Sequence, residues 1–103
     1  MPTPTPSKEA FRSAIELACQ CQNDSNITSG RAQVLNFPRQ WVLGTLIEEA
    51  SKILDLSDSW EYRRLLELAD LIDQELVQQI VKLGFSSKDE EVREAAEDYR
   101  VKD

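Results

Sequence analysis

Histidine is absent from this chain of 103 residues. Its absence excludes histidine-based acid–base catalysis, Ser-His-Asp and Cys-His nucleophiles, and zinc sites that use imidazole. Cysteine is nearly as scarce, with Cys19 and Cys21 the only two. Two residues apart on a helix, they project to roughly opposite sides, which suits neither a mutual disulfide nor a two-thiolate metal clamp; they read as small, inert residues. Glycine occurs only at 30, 44 and 84, and these positions write neither a phosphate loop nor a dinucleotide fingerprint. The longest uncharged apolar run, Trp41 to Ile47, falls far short of the roughly 20 residues that span a bilayer. MPTPTPSK at the start has no basic region followed by a long apolar one, so no secretory signal is visible and a cytoplasmic address is the default expectation.

Hydrophobic residues make up 41% of the chain and charged ones 30%, the balance of a soluble globular domain rather than a disordered or membrane segment. A chain of this length forms one domain and buries roughly two thirds of its unfolded surface, enough for a self-sufficient core. The net charge of −7 is unevenly placed, with +1 on residues 1–44 and −8 on residues 45–103. Binding to phosphate backbones or anionic lipid rests on clustered Lys and Arg, so neither nucleic acid nor a membrane surface is expected as a partner.

Residues 1–6 form a Pro-Thr leader, expected to be extended and mobile because alternating prolines block a helix; a single all-α domain is expected over 7–103. Ser7 can serve as N-cap, and Phe11, Ala14, Ile15 and Ala18 follow at helical spacing, predicting a first helix from about Lys8 to about Gln22. Polar residues then crowd NDSNITSG and Gly30 punctuates it, so 23–36 is expected to be a polar loop with RAQVL as one short helical turn. Asn23-Asp24-Ser25 and Asn26-Ile27-Thr28 match glycosylation acceptors, but without a secretory signal the plain reading is a solvated linker. Pro38 opens a second helix whose stripe runs through Trp41, Leu46, Ile47, Ala50, Ile53 and Leu54, with Glu48, Glu49 and Lys52 on the other side. Gly44 within it points to close approach by a neighbouring helix or to a tolerated glycine.

Asp58 with Glu61 makes a capping-box pattern before a third helix carrying Tyr62, Leu65, Leu66, Ala69 and Ile72. Asp73 caps a fourth, Gln74 to Leu83, closed by Gly84 as a left-handed C-terminal residue. Ser87 with Glu90 opens a fifth that runs to a frayed end at Asp103. No five-residue segment alternates as a strand does. The fold class is therefore all-α, with about five helices arranged as antiparallel neighbours.

One stretch is written twice. SDSWEYRRLLELAD, Ser57 to Asp70, aligns without a gap on SKDEEVREAAEDYR, Ser87 to Arg100, at an offset of thirty. Ser, Glu, Arg and Glu recur at 57/87, 61/91, 63/93 and 67/97. The segment Asp89-Glu90-Glu91-Val92-Arg93-Glu94-Ala95-Ala96 resembles the turn and helix start of a HEAT repeat, and Trp60-Glu61-Tyr62-Arg63-Arg64-Leu65-Leu66 resembles the same element one repeat earlier. The short period is similar to the HEAT-like repeats of phycobilisome lyases. The resemblance covers residues 57–100, two HEAT-like units, and implies a HEAT-like α-α superhelix or small helical bundle that presents a protein-binding face. It also implies structural ties between repeats through Asp58, Arg63, Asp89 and Arg93. Residues 27–40, where a further copy would fall in register, do not match. Two copies fall short of the three or so that stabilise a solenoid, so the first two helices act as a cap or the chain dimerises.

The carboxylates offer an alternative. Glu48 and Glu49 on the second helix and Glu67 and Asp70 on the third could face one another and bind Mg²⁺. This arrangement resembles the all-α nucleoside triphosphate pyrophosphohydrolases, in which two adjacent glutamates and a third precede Glu-x-x-Asp on the next helix; Lys52 stands at the third position here. A calcium loop begun at Asp55 fails, because Trp60 stands where its invariant glycine belongs and Leu66 where its bidentate glutamate belongs. Trp, Tyr and Arg dominate binding hot spots, which makes Trp60 with Arg63 and Arg64 the candidate interaction residues; Trp41, beside Arg39, is a second group, and core packing is the competing reading for both tryptophans. The sequence thus predicts a non-enzymatic protein–protein interaction or adaptor module, with no catalytic residue, metal ligand or cofactor, and with a protein partner that it does not name, a homodimer being left open. The alternative is a Mg²⁺-dependent pyrophosphohydrolase-like enzyme or a degenerate relative.

Overall fold

The computed structural model describes residues 6–101, in which six helices follow one another without a strand. They are α1 (Lys8–Gln20), α2 (Asp24–Leu35), α3 (Arg39–Ile53), α4 (Ser59–Asp70), α5 (Gln74–Phe85) and α6 (Glu90–Tyr99). Residues 1–5 of the Pro-Thr leader and the expected end of the last helix at 102–103 lie outside the described residues. No helix among the described residues is long and apolar enough to cross a membrane.

Local chemistry sets most of the helix starts. The side chains of Ser7, Asn23, Asp58, Asp73 and Asp89 accept backbone N–H groups of the first turns of α1, α2, α4, α5 and α6, each worth about 1 kcal/mol over alanine. Helix α3 starts on Pro38 without a side-chain cap. The expected Ser87 start of the last helix gives way to Asp89, which accepts from the Val92 amide at 3.0 Å. Ser87 instead braces that cap, its hydroxyl accepting from the Asp89 amide at 3.1 Å.

The expected polar loop at 23–36 is the helix α2, and the count rises from five to six. Only Ile27, Gly30 and Val34 of α2 are buried, so the helix carries almost no apolar stripe. Its contact with α1 is made through Gly30. A Cβ there would fall on the Ala18 amide, 2.7 Å from Leu17 Cβ and 2.8 Å from the Ala14 carbonyl oxygen. The two backbones approach directly, and a missing side chain does the work of an apolar one.

Helices α1 and α4 form the centre: α1 packs on α2, α3 and α4, while α4 packs on α1, α5 and α6. Phe11, Ile15, Leu46, Tyr62, Leu65 and Leu66 are fully or almost fully buried in one continuous core. The expected left-handed Gly84 is an ordinary helical residue within α5, since no described residue has a positive φ. It is small because Tyr62 crosses it, and an added Cβ would fall on the Tyr62 hydroxyl and 2.5 Å from Tyr62 Cζ. That hydroxyl donates to the Ile80 carbonyl at 2.8 Å inside the core. Of the two readings left open for Gly44, the tolerated glycine holds, with no atom within 4 Å of a Cβ built there.

Candidate interaction surface

Asp58 fixes where α4 begins, accepting from the Trp60 and Glu61 amides at 2.8 and 3.2 Å. Trp60 therefore stands in the first turn, before its neighbours can cover it, and remains 51% exposed. One turn on, Arg64 lies over its ring with the guanidinium carbon 4.7 Å from the centroid, a cation–π contact. Arg64 also donates to Glu67 at 3.1 Å, and Glu67 accepts a second guanidinium from Arg31 of α2 at 2.5 Å. Trp60, Arg64, Glu67 and Arg31 thus form a chain of contacts across two helices. Ser59, Trp60, Arg63, Arg64 and Glu67 line a shallow cleft of about 270 Å³ on this face.

The other side of the face is built by α6. Ser59 donates to Glu91 at 3.0 Å, and Arg63 donates to Asp98 at 3.2 Å. Both bonds climb the two helices in the same direction, so α4 and α6 run parallel, side by side. Helix α5 returns antiparallel between them in sequence, with Tyr62 of α4 meeting Ile80 and Gly84 and Gln78 donating to the Tyr99 carbonyl.

Of the candidate interaction residues, Trp60, Arg63 and Arg64 come together and Trp41 does not. Trp41 is half-buried near the start of α3, its ring stacked on Phe37 at 5.5 Å and edge-on to Phe11 at 4.7 Å. Among the residues assigned to repeat ties, Asp58 and Asp89 cap their own helices and Arg93 donates to the Ser87 carbonyl within its own turn. Arg63 alone reaches the neighbouring unit, through Asp98.

The carboxylates of the metal reading are dispersed. Glu49, placed by the sequence on the solvent side of its helix, is fully buried. It stands three residues after Leu46 and seven after Val42, on the inward stripe. Arg12 of α1 donates to one of its oxygens at 2.7 Å and Lys52 to the other at 3.0 Å. These two side chains, themselves partly exposed, shut the carboxylate off from water, and their bonds, Lys52's first, hold its pKa below the usual carboxylate value. Glu48 is solvent-exposed near Lys52, Glu67 is taken by two arginines, and Asp70 accepts from Gln74. Among the described residues no group of three or more His, Cys, Asp or Glu side chains is placed to hold a metal ion. Cys19, buried near the charges of this region, has its thiol pushed up to about 12 by burial, which leaves no thiolate near neutral pH.

A second opening escaped the sequence reading. Val34, Leu35, Phe37, Val42, Leu71 and Ile72 line a small apolar cleft of about 140 Å³. Leu35 and Leu71 on its rim are about half exposed. Arg39 closes one side, bonded to the Ile72 carbonyl at 2.6 Å and to Asp73 at 2.5 Å. The only sequence signal was that Leu71 falls off the buried stripe of α4. Compared with known protein families, curated proteins and solved structures, the chain matches none.

Proposed function

We propose that this chain is a non-enzymatic protein-interaction module of the cytoplasm, built on HEAT-like helices, that takes its partner on the α4 face around Trp60. The observation that carries the reading is the half-exposed Trp60 ring with Arg64 laid over it. Tryptophan and arginine are the residues whose burial against a partner contributes most to binding. Here they are already ordered, Arg64 by Trp60 and Glu67, and Glu67 by Arg31. A surface fixed before binding loses less side-chain freedom when a partner arrives. The parallel placement of α4 beside α6, with α5 packed on both, supports the HEAT-like reading of residues 57–100.

The titratable groups support a binding role over a catalytic one. Glu49 is neutralised by two cations and held ionised, and Cys19 is held as a thiol, so neither is poised for proton transfer or attack near neutral pH. The test is a selection of random peptides displayed against the full chain, followed by amide chemical-shift mapping of the tightest binder. The reading expects the largest shifts at residues 59–67 of α4. Binders that map away from this face, or a selection that yields none, would count against it.

A further inference from the structure

Arg31 of α2 departs from the rule that buried donors are paired. One of its terminal nitrogens donates to Glu67 at 2.5 Å, yet its Nε–H is buried and meets no acceptor among the described residues. A buried donor left without a partner costs more than an ordinary hydrogen bond contributes. An unbranched apolar side chain such as methionine would fill the same space without that cost. Stability alone therefore does not account for an arginine at this position.

The charges around it show what Arg31 does instead. From Trp60, Arg63 stands at i+3 and Arg64 at i+4; from Glu67 the same two stand at i−4 and i−3. All four are neighbours on α4, and spacing alone would let either arginine cover the ring and either pair with the carboxylate. Two groups from other helices separate them. Asp98 of α6 takes Arg63 at 3.2 Å. Arg31 holds Oε2 of Glu67, and Arg64 donates to that same oxygen at 3.1 Å. Arg64 so held keeps its guanidinium carbon 4.7 Å from the centre of the Trp60 ring. Arg31 itself is not among the residues that line the cleft.

We infer that Arg31 is a positioning residue for the Trp60 face: from outside the cleft it fixes Glu67, Glu67 fixes Arg64, and the face meets its partner already formed. The inference rests on the reading of that face as the binding surface and adds the residue that sets its order. Its effect lies in the unbound chain. Once Arg31 no longer holds Oε2, Glu67 is free to turn to Arg63 as well, and Arg64 leaves the ring for part of the time. A partner must then restore the order as it binds, which costs affinity.

The experiment compares the full chain with Arg31→Met and Arg31→Lys, each checked for helix content and melting temperature. In the free protein the Trp60 ring shifts the side-chain proton resonances of Arg64 upfield, and Trp60→Ala, which has no ring there, supplies the unshifted reference. In Arg31→Met these resonances move most of the way to the reference, while the melting temperature does not fall, because the orphaned donor is gone. In Arg31→Lys a cation still faces Glu67, and the resonances stay near their wild-type positions. The tightest selected peptide binds Arg31→Met roughly two- to ten-fold more weakly than the wild type and binds Arg31→Lys much as the wild type does. Arg64 resonances that stay shifted in Arg31→Met overturn the inference, as does a shift lost only together with helix content, which marks the arginine as structural. A methionine variant that loses the shift and still binds the peptide as the wild type does overturns it too. The resonances are read without a peptide, so a selection that yields no binder ends the broader reading and leaves the ordering of the face decided on its own.

Discussion

Arg12 of α1 donates its Nε–H to the fully buried carboxylate of Glu49 in α3, 2.7 Å away, while Lys52 holds the other oxygen. The pair joins the first helix to the third at a point where an apolar side chain would have been expected. Removing Arg12 would leave the buried carboxylate to Lys52 alone, and removing Glu49 would leave both cations without their shared partner.

A pH dependence follows from the depressed Glu49 pKa. A carboxyl that is more acidic in the folded state than in the unfolded one stabilises the fold above its ordinary pKa. That contribution is lost as pH falls through the lowered value. Glu49→Gln is expected to melt at a lower temperature than the wild type at neutral pH. The gap should close as the solution is acidified below the ordinary carboxylate range. Thermal melts at a series of pH values decide the point, and a gap that is constant with pH would contradict it.

Two glycines carry opposite signs. Gly30→Ala drives a methyl group into the α1 backbone and is expected to cost about 2–3 kcal/mol by overpacking. Gly44→Ala fills open space on an exposed helix turn and is expected to stabilise by about 0.5–1 kcal/mol. Urea denaturation of both variants checks the pair. The account fails here if both move stability in the same direction.

These glycines also show what the sequence could and could not disclose. All of the helices except α2 were legible, because the starts of α1, α4, α5 and α6 are written in Ser and Asp residues, that of α3 in Pro38, and their inward faces in apolar residues at helical spacing. Helix α2 was not, since the signal sought was an apolar stripe and its contact with α1 is made at Gly30 by the absence of a side chain. The same rule left Gly44 open between close approach and a tolerated glycine and pointed to Gly84 for a chain reversal, whereas Gly44 faces solvent and Gly84 accommodates Tyr62. A glycine in a helical sequence marks an unusual demand or none, and one sequence does not distinguish the two. The grouping of Trp60, Arg63 and Arg64 was readable from their i, i+3 and i+4 spacing, while Arg31 reaches Glu67 only through the unforeseen helix.

Tyr62 offers an alkaline counterpart to Glu49. Burial raises its phenol from 10.0 to about 12, so the unfolded chain releases this proton before the folded one does. Stability is accordingly full below pH 10 and falls as pH rises toward the folded value. Tyr62→Phe removes the hydroxyl bonded to the Ile80 carbonyl, at a cost of about 1 kcal/mol at neutral pH, and should flatten this alkaline loss. Chemical denaturation at neutral and alkaline pH tests both parts, and an equally steep alkaline loss in the variant would contradict the second.

The tryptophans should separate cleanly by stability. Trp41→Ala opens the Phe11–Phe37–Trp41 cluster and is expected to cost about 2–3 kcal/mol, somewhat less than a fully buried tryptophan. Trp60→Ala removes an exposed ring and one cation–π contact, for a change of about 0.5 kcal/mol. Thermal melts of the two variants decide, with equal losses counting against the surface role of Trp60.

The most direct measurement is the affinity of the tightest selected peptide for the wild type and for Trp60→Ala, read by calorimetry on samples with matched melting temperatures. A hot-spot residue costs about 2 kcal/mol or more when truncated, so binding should weaken roughly thirty-fold or beyond. Equal affinity for the two proteins would contradict the claim that the Trp60 face is where this chain meets its partner.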